Sequence, residues 1–504
     1  MKKLKWVSLI LLGVLIITGT AMAQGGVDNL PGAGWWSGQQ IQNIGTDTIE
    51  VHIMAYEQAS GGKVYEATES VDPGAAFTFT PFTSLPLEDG MQGSAVVRAT
   101  GPIRAIVNVT NNPVQNMGVE GGTAAAQYQG FSHEAIADTL YFPLVKASYY
   151  NNTTTYYIQN AGSASTKFSA SFTMGDGSQY TYETPLVEPN RIAIFSIFNS
   201  EDFTLPHQID NSLDPARLGS LIVTSEQPMA GVVMEHATIQ DPAQVVYSTR
   251  GFTSNDFDTK AYAPVIKDMF WGAYTGIQVQ NVETENSIDV TLTYYVTDGP
   301  NAGEVIHQTK EGILPGTSHT FVQLVPPPNN SPLPMDNLAS VVIESTGGQF
   351  VAIVNETNAA NTAGITYSAI PDRATTRRVS APLFKDFYYG ATSGLQIQNV
   401  GTEEAEIVAQ FSCIPVTGAP FVATSKPQMV DPGAAVLFFR PSVNADMFEL
   451  DGTVHIFLDR TNCSVDITGT QNIVAIVNEM GVEDGYGFNF HGVDDNNYEG
   501  FNLP

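Results

Sequence analysis

Adjacent aromatic pairs are the residues in this sequence best suited to binding a ligand. Three pairs occupy one equivalent place in three repeated stretches, and a fourth lies in the corresponding stretch near the start: Tyr149-Tyr150, Phe270-Trp271, Tyr388-Tyr389 and Trp35-Trp36. Exposed side by side, such rings offer a large, rigid apolar area with a polar edge, which suits stacking on the face of a sugar. The alternative is that one ring of each pair caps the core of its own domain or packs on a neighbouring domain.

The sequence lacks the local motifs of common catalytic and cofactor-binding sites. The eight histidines are scattered and hold no repeated position. His133-Glu134 begins like a zinc-protease helix, but Ala137 stands where the second histidine is needed. Neither a Gly-x-Ser-x-Gly elbow nor a phosphate-binding glycine loop occurs. We therefore expect no enzyme and no cofactor, although a triad assembled from distant residues would leave no such signature.

Two acidic loops could hold calcium, since hard oxygen ligands are plentiful in them. One is Asp494-Asp495-Asn496-Asn497 with Glu499, and the other is Asp176-Gly177-Ser178. Neither has the alternating ligand spacing of an EF-hand loop. The competing interpretation of the first is a solvated acidic tail.

Lysines and glutamates recur at fixed places in the last three repeats. Each lysine lies three residues after a proline that opens the repeat, and each glutamate ends a closing strand. The first repeat has Val109 in place of the glutamate and no matching lysine. The lysine and the glutamate are both present in three repeats and both absent from the first, which predicts that the two side chains lie in contact. Such a pair would help to set strand register and would add only about 0.2–1 kcal/mol of stability. The predicted pairs are Lys146–Glu235, Lys267–Glu356 and Lys385–Glu479. The competing interpretation makes each glutamate a ligand or partner contact.

Cys413 and Cys463 are the only cysteines, and both lie in the fourth repeat. An even count within one domain of an exported protein predicts a disulfide. We expect the bridge to connect the second strand with the stretch before the last strand, across the sandwich.

The elements that position these residues follow from a fourfold repeat. Similar strands end at Asn43, Asn160, Asn281 and Asn399, which are 117, 121 and 118 residues apart. In Leu395-Gln396-Ile397-Gln398 apolar and amide residues alternate, as in a strand with one buried face, before an Asn-x-Gly turn. About seven short strands per repeat predict an antiparallel β-sandwich, with a barrel as the rival. The apolar closing strands favour the sandwich.

Composition and the first residues indicate export. Lysines, an apolar run and Ala21-Met22-Ala23 predict a signal peptide over 1–23, and no later apolar run is long enough to span a bilayer. The net charge of −30 excludes nucleic-acid binding through phosphate neutralisation. The predicted β-sandwich repeats cover 24–137, 138–256, 257–376 and 377–504, the last with an acidic C-terminal tail.

The closing strands resemble those of exported bacterial cell-surface proteins with tandem immunoglobulin-like repeats. Ile353-Val354-Asn355-Glu356 and Ile476-Val477-Asn478-Glu479 carry the likeness, and Asn108-Val109 and Met234-Glu235 depart from it. The resemblance covers nearly all of the chain after residue 23. It implies four tandem immunoglobulin-like antiparallel β-sandwich domains and an adhesive, scaffolding or stalk role.

Two functions follow as hypotheses. The first is an extracellular structural or adhesive protein that binds cell-envelope components, glycans or other copies of itself. The second is a secreted array of carbohydrate-binding modules that uses the aromatic pairs. An oligosaccharide-binding test with Trp271→Ala would separate them.

Overall fold

The computed structural model describes residues 9–15, 30, 34–58, 61–82, 84–88, 91–111, 124–206, 214–237, 245–323, 332–358, 364–386, 388, 391–439, 448–449, 461–481, 496–499 and 501–503. These residues form antiparallel β-sheets with a few short 3-10 turns, and no α-helix occurs among them. The all-β class predicted from composition and pattern is therefore present.

The chain divides into two compact units, Met1–Asp256 and Phe257–Pro504. The division falls where the sequence places the junction between the second and third repeats. Each unit is described by itself below, with its strands grouped by the repeat boundaries predicted from the sequence.

Fifteen strands are described in the first unit. They are β1 (Leu9–Leu15), β2 (Trp36–Asn43), β3 (Ile49–Glu57), β4 (Val64–Val71), β5 (Ala76–Phe79), β6 (Gly93–Ala99), β7 (Ile103–Thr110), β8 (Ala125–Gln129), β9 (Ala137–Tyr149), β10 (Asn152–Asn160), β11 (Ser169–Met174), β12 (Gln179–Glu183), β13 (Ile192–Phe195), β14 (Leu218–Ala237) and β15 (Val246–Arg250). The first repeat consists of the sheets β1-β6-β3-β4 and β5-β2-β7-β8, and the second has one sheet in the order β12-β11-β14-β9-β10-β13 with β15 beside β14.

Nineteen strands are described in the second unit. They are β16 (Lys260–Asp268), β17 (Ala273–Asn281), β18 (Ile288–Asp298), β19 (Val305–Ile313), β20 (Ser318–Val322), β21 (Asn337–Thr346), β22 (Phe350–Asn358), β23 (Gly364–Ser368), β24 (Ile370–Pro371), β25 (Thr376–Asp386), β26 (Ala391–Asn399), β27 (Ala405–Pro415), β28 (Phe421–Ser425), β29 (Gln428–Val430), β30 (Ala435–Phe439), β31 (Phe448–Glu449), β32 (Thr461–Gly481), β33 (Asn496–Glu499) and β34 (Phe501–Leu503). The third repeat has the sheets β19-β18-β21-β16-β24 and β20-β17-β22-β23, whereas β32 joins the strands of the fourth repeat in one sheet.

Alternating side chains build the cores of these repeats. In β3, Ile49, Val51 and Ile53 are buried, whereas Glu50 between them is exposed. Successive side chains of a strand point to opposite faces, so this alternation commits one face of each strand to a core. The period-2 patterns of the sequence predict these strands correctly.

The repeated asparagine is a structural residue that ties three backbone segments together. In β26, Asn399 Nδ2 donates to the carbonyls of Glu403 and Val430, both at 2.8 Å, and its Oδ1 accepts from Gly401 N at 2.9 Å. Equivalent bonds occur at Asn43, Asn160 and Asn281. A fully bonded buried amide fixes the turn after each strand, which explains the recurrence of this residue.

The expectation of two separate closing strands is wrong in the second and fourth repeats. There β14 and β32 run on for 20 and 21 residues and change partners along their length. In the third repeat, Gly347 between β21 and β22 has a φ of +91°, which glycine adopts readily, and the two strands belong to different sheets. The second repeat has Glu226-Gln227-Pro228 at that place, so the backbone stays extended from one face of the repeat to the other.

The apolar stretch of the predicted signal peptide contains a strand. β1 pairs antiparallel with β6, from Leu9 opposite Ala99 to Leu15 opposite Gly93. In the third repeat the equivalent edge, β21, pairs with the opening strand β16. β1 thus takes the position of an opening strand, and removal of residues 1–23 on export stays a prediction.

In the first unit, a turn of the second repeat docks on a sheet of the first. Ser94 Oγ on β6 donates to the carbonyl of Asn190, and the Arg191 guanidinium donates to the carbonyls of Glu57 and Gly62, the latter at 2.8 Å. Apolar side chains of both repeats share one core beside this contact, among them Met54, Val96, Tyr157, Val232 and Met234. This contact between the two repeats, called the joint below, therefore combines apolar packing with hydrogen bonds from a buried arginine.

The second unit repeats this joint with different side chains. Ser340 Oγ on β21 donates to the carbonyl of Gly433 at 2.7 Å, and Gln398 Nε2 donates to the same carbonyl at 2.9 Å. Gly433 has a φ of +80°, and a Cβ there would lie 2.3 Å from the Tyr295 ring. A ring packed on a bare glycine thus takes the place of the arginine.

Candidate functional site

The aromatic pairs of the second and third repeats lie on tight hairpins that end the opening strands. Between β16 and β17, Met269, Trp271 and Gly272 have φ values of +54°, +53° and +78°. In the second repeat the same turn places Ser148 and Tyr150 at +59° and +49°. Bulky residues in this left-handed region are unusual and carry strain, which makes these hairpins candidates for a functional role.

Burial separates the two rings of a pair. Phe270 belongs to the core of the third repeat, whereas Trp271 is 61% exposed with its ring stacked on Phe270, the centroids 4.9 Å apart. Tyr150 is 49% exposed, and Tyr149 is half-buried. One ring therefore anchors the hairpin and the other faces solvent.

The pairs of the first and fourth repeats differ from this arrangement. Trp35 is buried in the apolar core, so it cannot stack on a ligand, and this part of the aromatic-site hypothesis is wrong. Trp36 is half-buried in β2 and packs edge to face on Phe82 at 5.3 Å. Tyr388 is half-buried, and Tyr389 lies outside the described residues.

Behind each hairpin the structure brings a lysine and a glutamate together. Lys267 Nζ lies 2.6 Å from Glu356 Oε1, and Lys385 Nζ lies 2.7 Å from Glu479 Oε1. Lys146 and Glu235 make the same contact, and Asn152 Nδ2 adds a hydrogen bond to Glu235 Oε1 at 2.9 Å. These side chains are at most one-fifth exposed, so the pairs are more buried than surface ion pairs, which contribute little.

A cleft opens beside Trp271, between the third and fourth repeats of the second unit. It is shallow, because the space of about 360 Å³ between its walls includes open solvent. The third repeat contributes Val265, Lys267, Phe270, Trp271 and Leu338, and the fourth contributes Gly394, Gln396, Leu437 and Asn478. The exposed ring of an aromatic pair and the lysine of an ion pair thus border one space.

Two amide atoms that border this cleft are buried without hydrogen-bond partners in the described part of the chain. They are Gln396 Nε2, on a side chain that is 2% exposed, and Asn478 Oδ1. Gly394 pairs with Asn478 across β26 and β32, and Gln396 lies two residues further along β26 on the same face. Both atoms are themselves buried, although the residues that carry them line the cleft.

Sequence reasoning did not select Gln396, Asn478 or Gly394. The alternation in β26 indicates a polar face but gives no sign that a neighbouring repeat covers it. A usable signal lies in the comparison of repeats, because Tyr157 and Met234 stand at the places of Gln396 and Asn478 in the second repeat. There the same face is apolar and belongs to a shared core.

The disulfide joins neighbouring strands. Cys413 of β27 lies directly opposite Cys463 of β32, with their Cα atoms 4.0 Å apart. The expected bridge is present, but it lies within one sheet and not across the sandwich. It closes a loop of 50 residues, which adds roughly 4 kcal/mol by the chain-entropy estimate.

The acidic loops give no metal site in the part of the chain that the structure describes. No group of three or more histidine, cysteine, aspartate or glutamate side chains converges there. The Asp176 carboxylate accepts from Ser178 N and Ser178 Oγ, both at 2.9 Å, and so closes its own turn. Asp494 and Asp495 lie outside the described residues.

Comparisons with known proteins add little. No protein-family model matches the chain, and no curated protein matches it. A crystal structure titled Thermotoga maritima 1070 is similar at 14% identity and a TM-score of 0.18, covering 23% of this chain and 93% of its own. A crystal structure of a tetra-tandem repeat in the extending region of a large adhesion protein is similar at 11% identity and a TM-score of 0.10, covering 97% of this chain and 99% of its own. Scores this low carry no argument about fold or function.

Proposed function

We propose that this protein is an exported structural or adhesive component of a cell surface, built from four β-sandwich repeats that are joined in pairs. The proposal includes no catalytic activity and no cofactor. Its partners are cell-envelope components, glycans or other copies of the chain. Among the described residues, no helix is long and apolar enough to cross a membrane.

The observation that carries the proposal is the recurrence of one joint between repeats. A serine on β6 or β21 donates to the carbonyl of a left-handed turn residue, Asn190 or Gly433, of the next repeat. Each joint also buries apolar side chains of both repeats. A hydrogen-bonded, packed joint holds two repeats in one arrangement, which suits a protein that bears load or spaces a binding site from a surface.

Composition supports the same role. Charged residues make up only 14% of the chain, and the net charge is −30, so the protein has a polar coat with few cations. Such a chain repels nucleic acid and anionic lipid, since both need clustered lysine and arginine.

The test is the location of the protein on intact cells. We expect it in the cell-envelope fraction, and we expect protease added to intact cells to digest it while a cytoplasmic marker survives. Recovery only from the cytoplasm would contradict the proposal. Recovery only from the culture medium would contradict attachment and favour the secreted carbohydrate-binding alternative.

A further inference from the structure

We propose that the cleft beside Trp271 binds a neutral saccharide, with the Trp271 ring as its stacking surface and the amides of Gln396 and Asn478 as its hydrogen-bonding floor. This inference goes beyond the structural role, because the site would bind sugar wherever the protein is located. Three independent observations support it.

The first observation is the presentation of Trp271. Its ring is 61% exposed, yet it is held on a left-handed backbone and stacked on the buried Phe270. The hairpin thus bears backbone strain and keeps a large apolar ring mostly exposed to solvent. A flat ring fixed beside a cleft suits a ligand with a flat apolar face.

The second observation is the pair of buried amide atoms without partners. A buried donor or acceptor left unsatisfied costs about 1–3 kcal/mol, so native proteins keep few of them. Gln396 Nε2 offers a donor and Asn478 Oδ1 an acceptor on one face of the sheet. Both atoms are buried, so ligand hydroxyls reach them only once the two side chains turn toward the cleft. A hydroxyl both donates and accepts, so neighbouring hydroxyls of one ligand can then satisfy the two amides together.

The third observation concerns charge. Lys267 is the only charged residue that lines the cleft among the described residues, and its ammonium group is paired with Glu356 at 2.6 Å. The cleft therefore offers no uncompensated cation, and the chain as a whole is strongly acidic. Anionic ligands are disfavoured, which leaves a neutral molecule with an apolar face and several hydroxyls, and a sugar ring has these features.

The test uses the full chain and an array of neutral glycans, followed by titration with cellohexaose, maltohexaose and chitohexaose. Oligogalacturonate serves as the anionic arm. We expect at least one neutral oligosaccharide to bind, to protect Trp271 from iodide quenching, and to outcompete oligogalacturonate. Absence of binding across the neutral glycans would overturn the proposal, and so would preference for the anionic arm.

Variants separate the site from the rest of the chain. Trp271→Ala and Gln396→Leu should each weaken binding about tenfold or more, whereas Trp271→Tyr should retain most of it. Gln396→Leu removes an unsatisfied buried amide, so the protein should lose binding while it stays at least as stable in urea. The matched control is Tyr150→Ala, the equivalent exposed ring of the second repeat.

The outcomes of these variants are decisive. Binding unchanged in both Trp271→Ala and Gln396→Leu would overturn the proposal, and so would an equal loss in Tyr150→Ala. Failure of the sugar test leaves the cell-surface role untouched, because that role is measured by the location of the protein and not by binding.

Discussion

The joint of the first unit and the joint of the second share a design and differ in how they are closed. In both, a serine hydroxyl meets the carbonyl of a left-handed turn. In the first unit Arg191 seals the contact and Tyr157 and Met234 fill the space beside it. In the second unit a ring covers a glycine, and amides border an open cleft.

The proposed sugar site would therefore lie at the part of the contact between repeats that differs between the two units. The hydrogen bonds that hold the joint involve the turn and the serine strand, and these are present in both units. The face next to them is free to vary, because its side chains contact the neighbouring repeat and not the core of their own repeat. At the two equivalent positions, Tyr157 and Met234 belong to the shared core of the first unit, whereas Gln396 and Asn478 line the cleft of the second.

Gly433 should respond to substitution far more strongly than its counterpart. We expect Gly433→Ala to destabilise the second unit by about 2–5 kcal/mol, since it adds left-handed strain and a Cβ that overlaps the Tyr295 ring. Asn190→Ala should cost the first unit only about 1 kcal/mol, because Asn190 already carries a Cβ. Hydrogen-exchange mass spectrometry, read separately for each unit during urea unfolding, gives both values. Equal effects would mean that the two joints are closed in the same way.

Loss of a lysine should also affect the units unequally. Lys267→Met leaves the buried Glu356 charge without its cation, and we expect a loss of about 3 kcal/mol. Lys146→Met should cost less, because the Asn152 amide still donates to Glu235, whereas Ala273 stands at that place in the third repeat. The double variant Lys267→Met with Glu356→Leu should recover most of the stability, since it buries no unpaired charge. A double variant as unstable as Lys267→Met alone would show that the loss comes from packing.

The smallest expected difference between the two units is in how their stability changes at acidic pH. Burial, with Lys310 nearby, lowers the pKa of His319 in β20 from 6.5 to about 4. The folded second unit therefore stays neutral at His319 where the unfolded chain binds a proton, so its stability should fall as the pH drops from about 6.5 to about 4. Phe77 in the first repeat and Ala193 in the second stand at the equivalent place, so the first unit lacks this contribution. His319→Phe should flatten the pH profile of the second unit over this range, and an unchanged profile would assign the effect to other groups.

Much of the architecture was predictable from the sequence because it depends on local periodicity. Alternating apolar residues determine which face of a strand is buried. The recurring asparagine marks a turn that its side chain stabilises by hydrogen bonds. Covariation between repeats was also informative, since Lys267 and Glu356 are both present or both absent in their equivalents and lie in contact. The continuous strands β14 and β32 were missed, because strand continuation depends on sheet partners far along the chain.

The sequence by itself determined the strand pattern, the fourfold repeat, the pairing of the two cysteines and the partners of the repeated charges. The strand pattern and the cysteine pairing follow from side-chain type and spacing within one repeat, and the other two follow from comparison of the repeats. Only the tertiary structure decided which ring of an aromatic pair is exposed, which sheet edge the Leu9–Leu15 strand joins, and that Gln396 and Asn478 border a cleft. Those properties depend on contacts with residues far along the chain, which follow no local period.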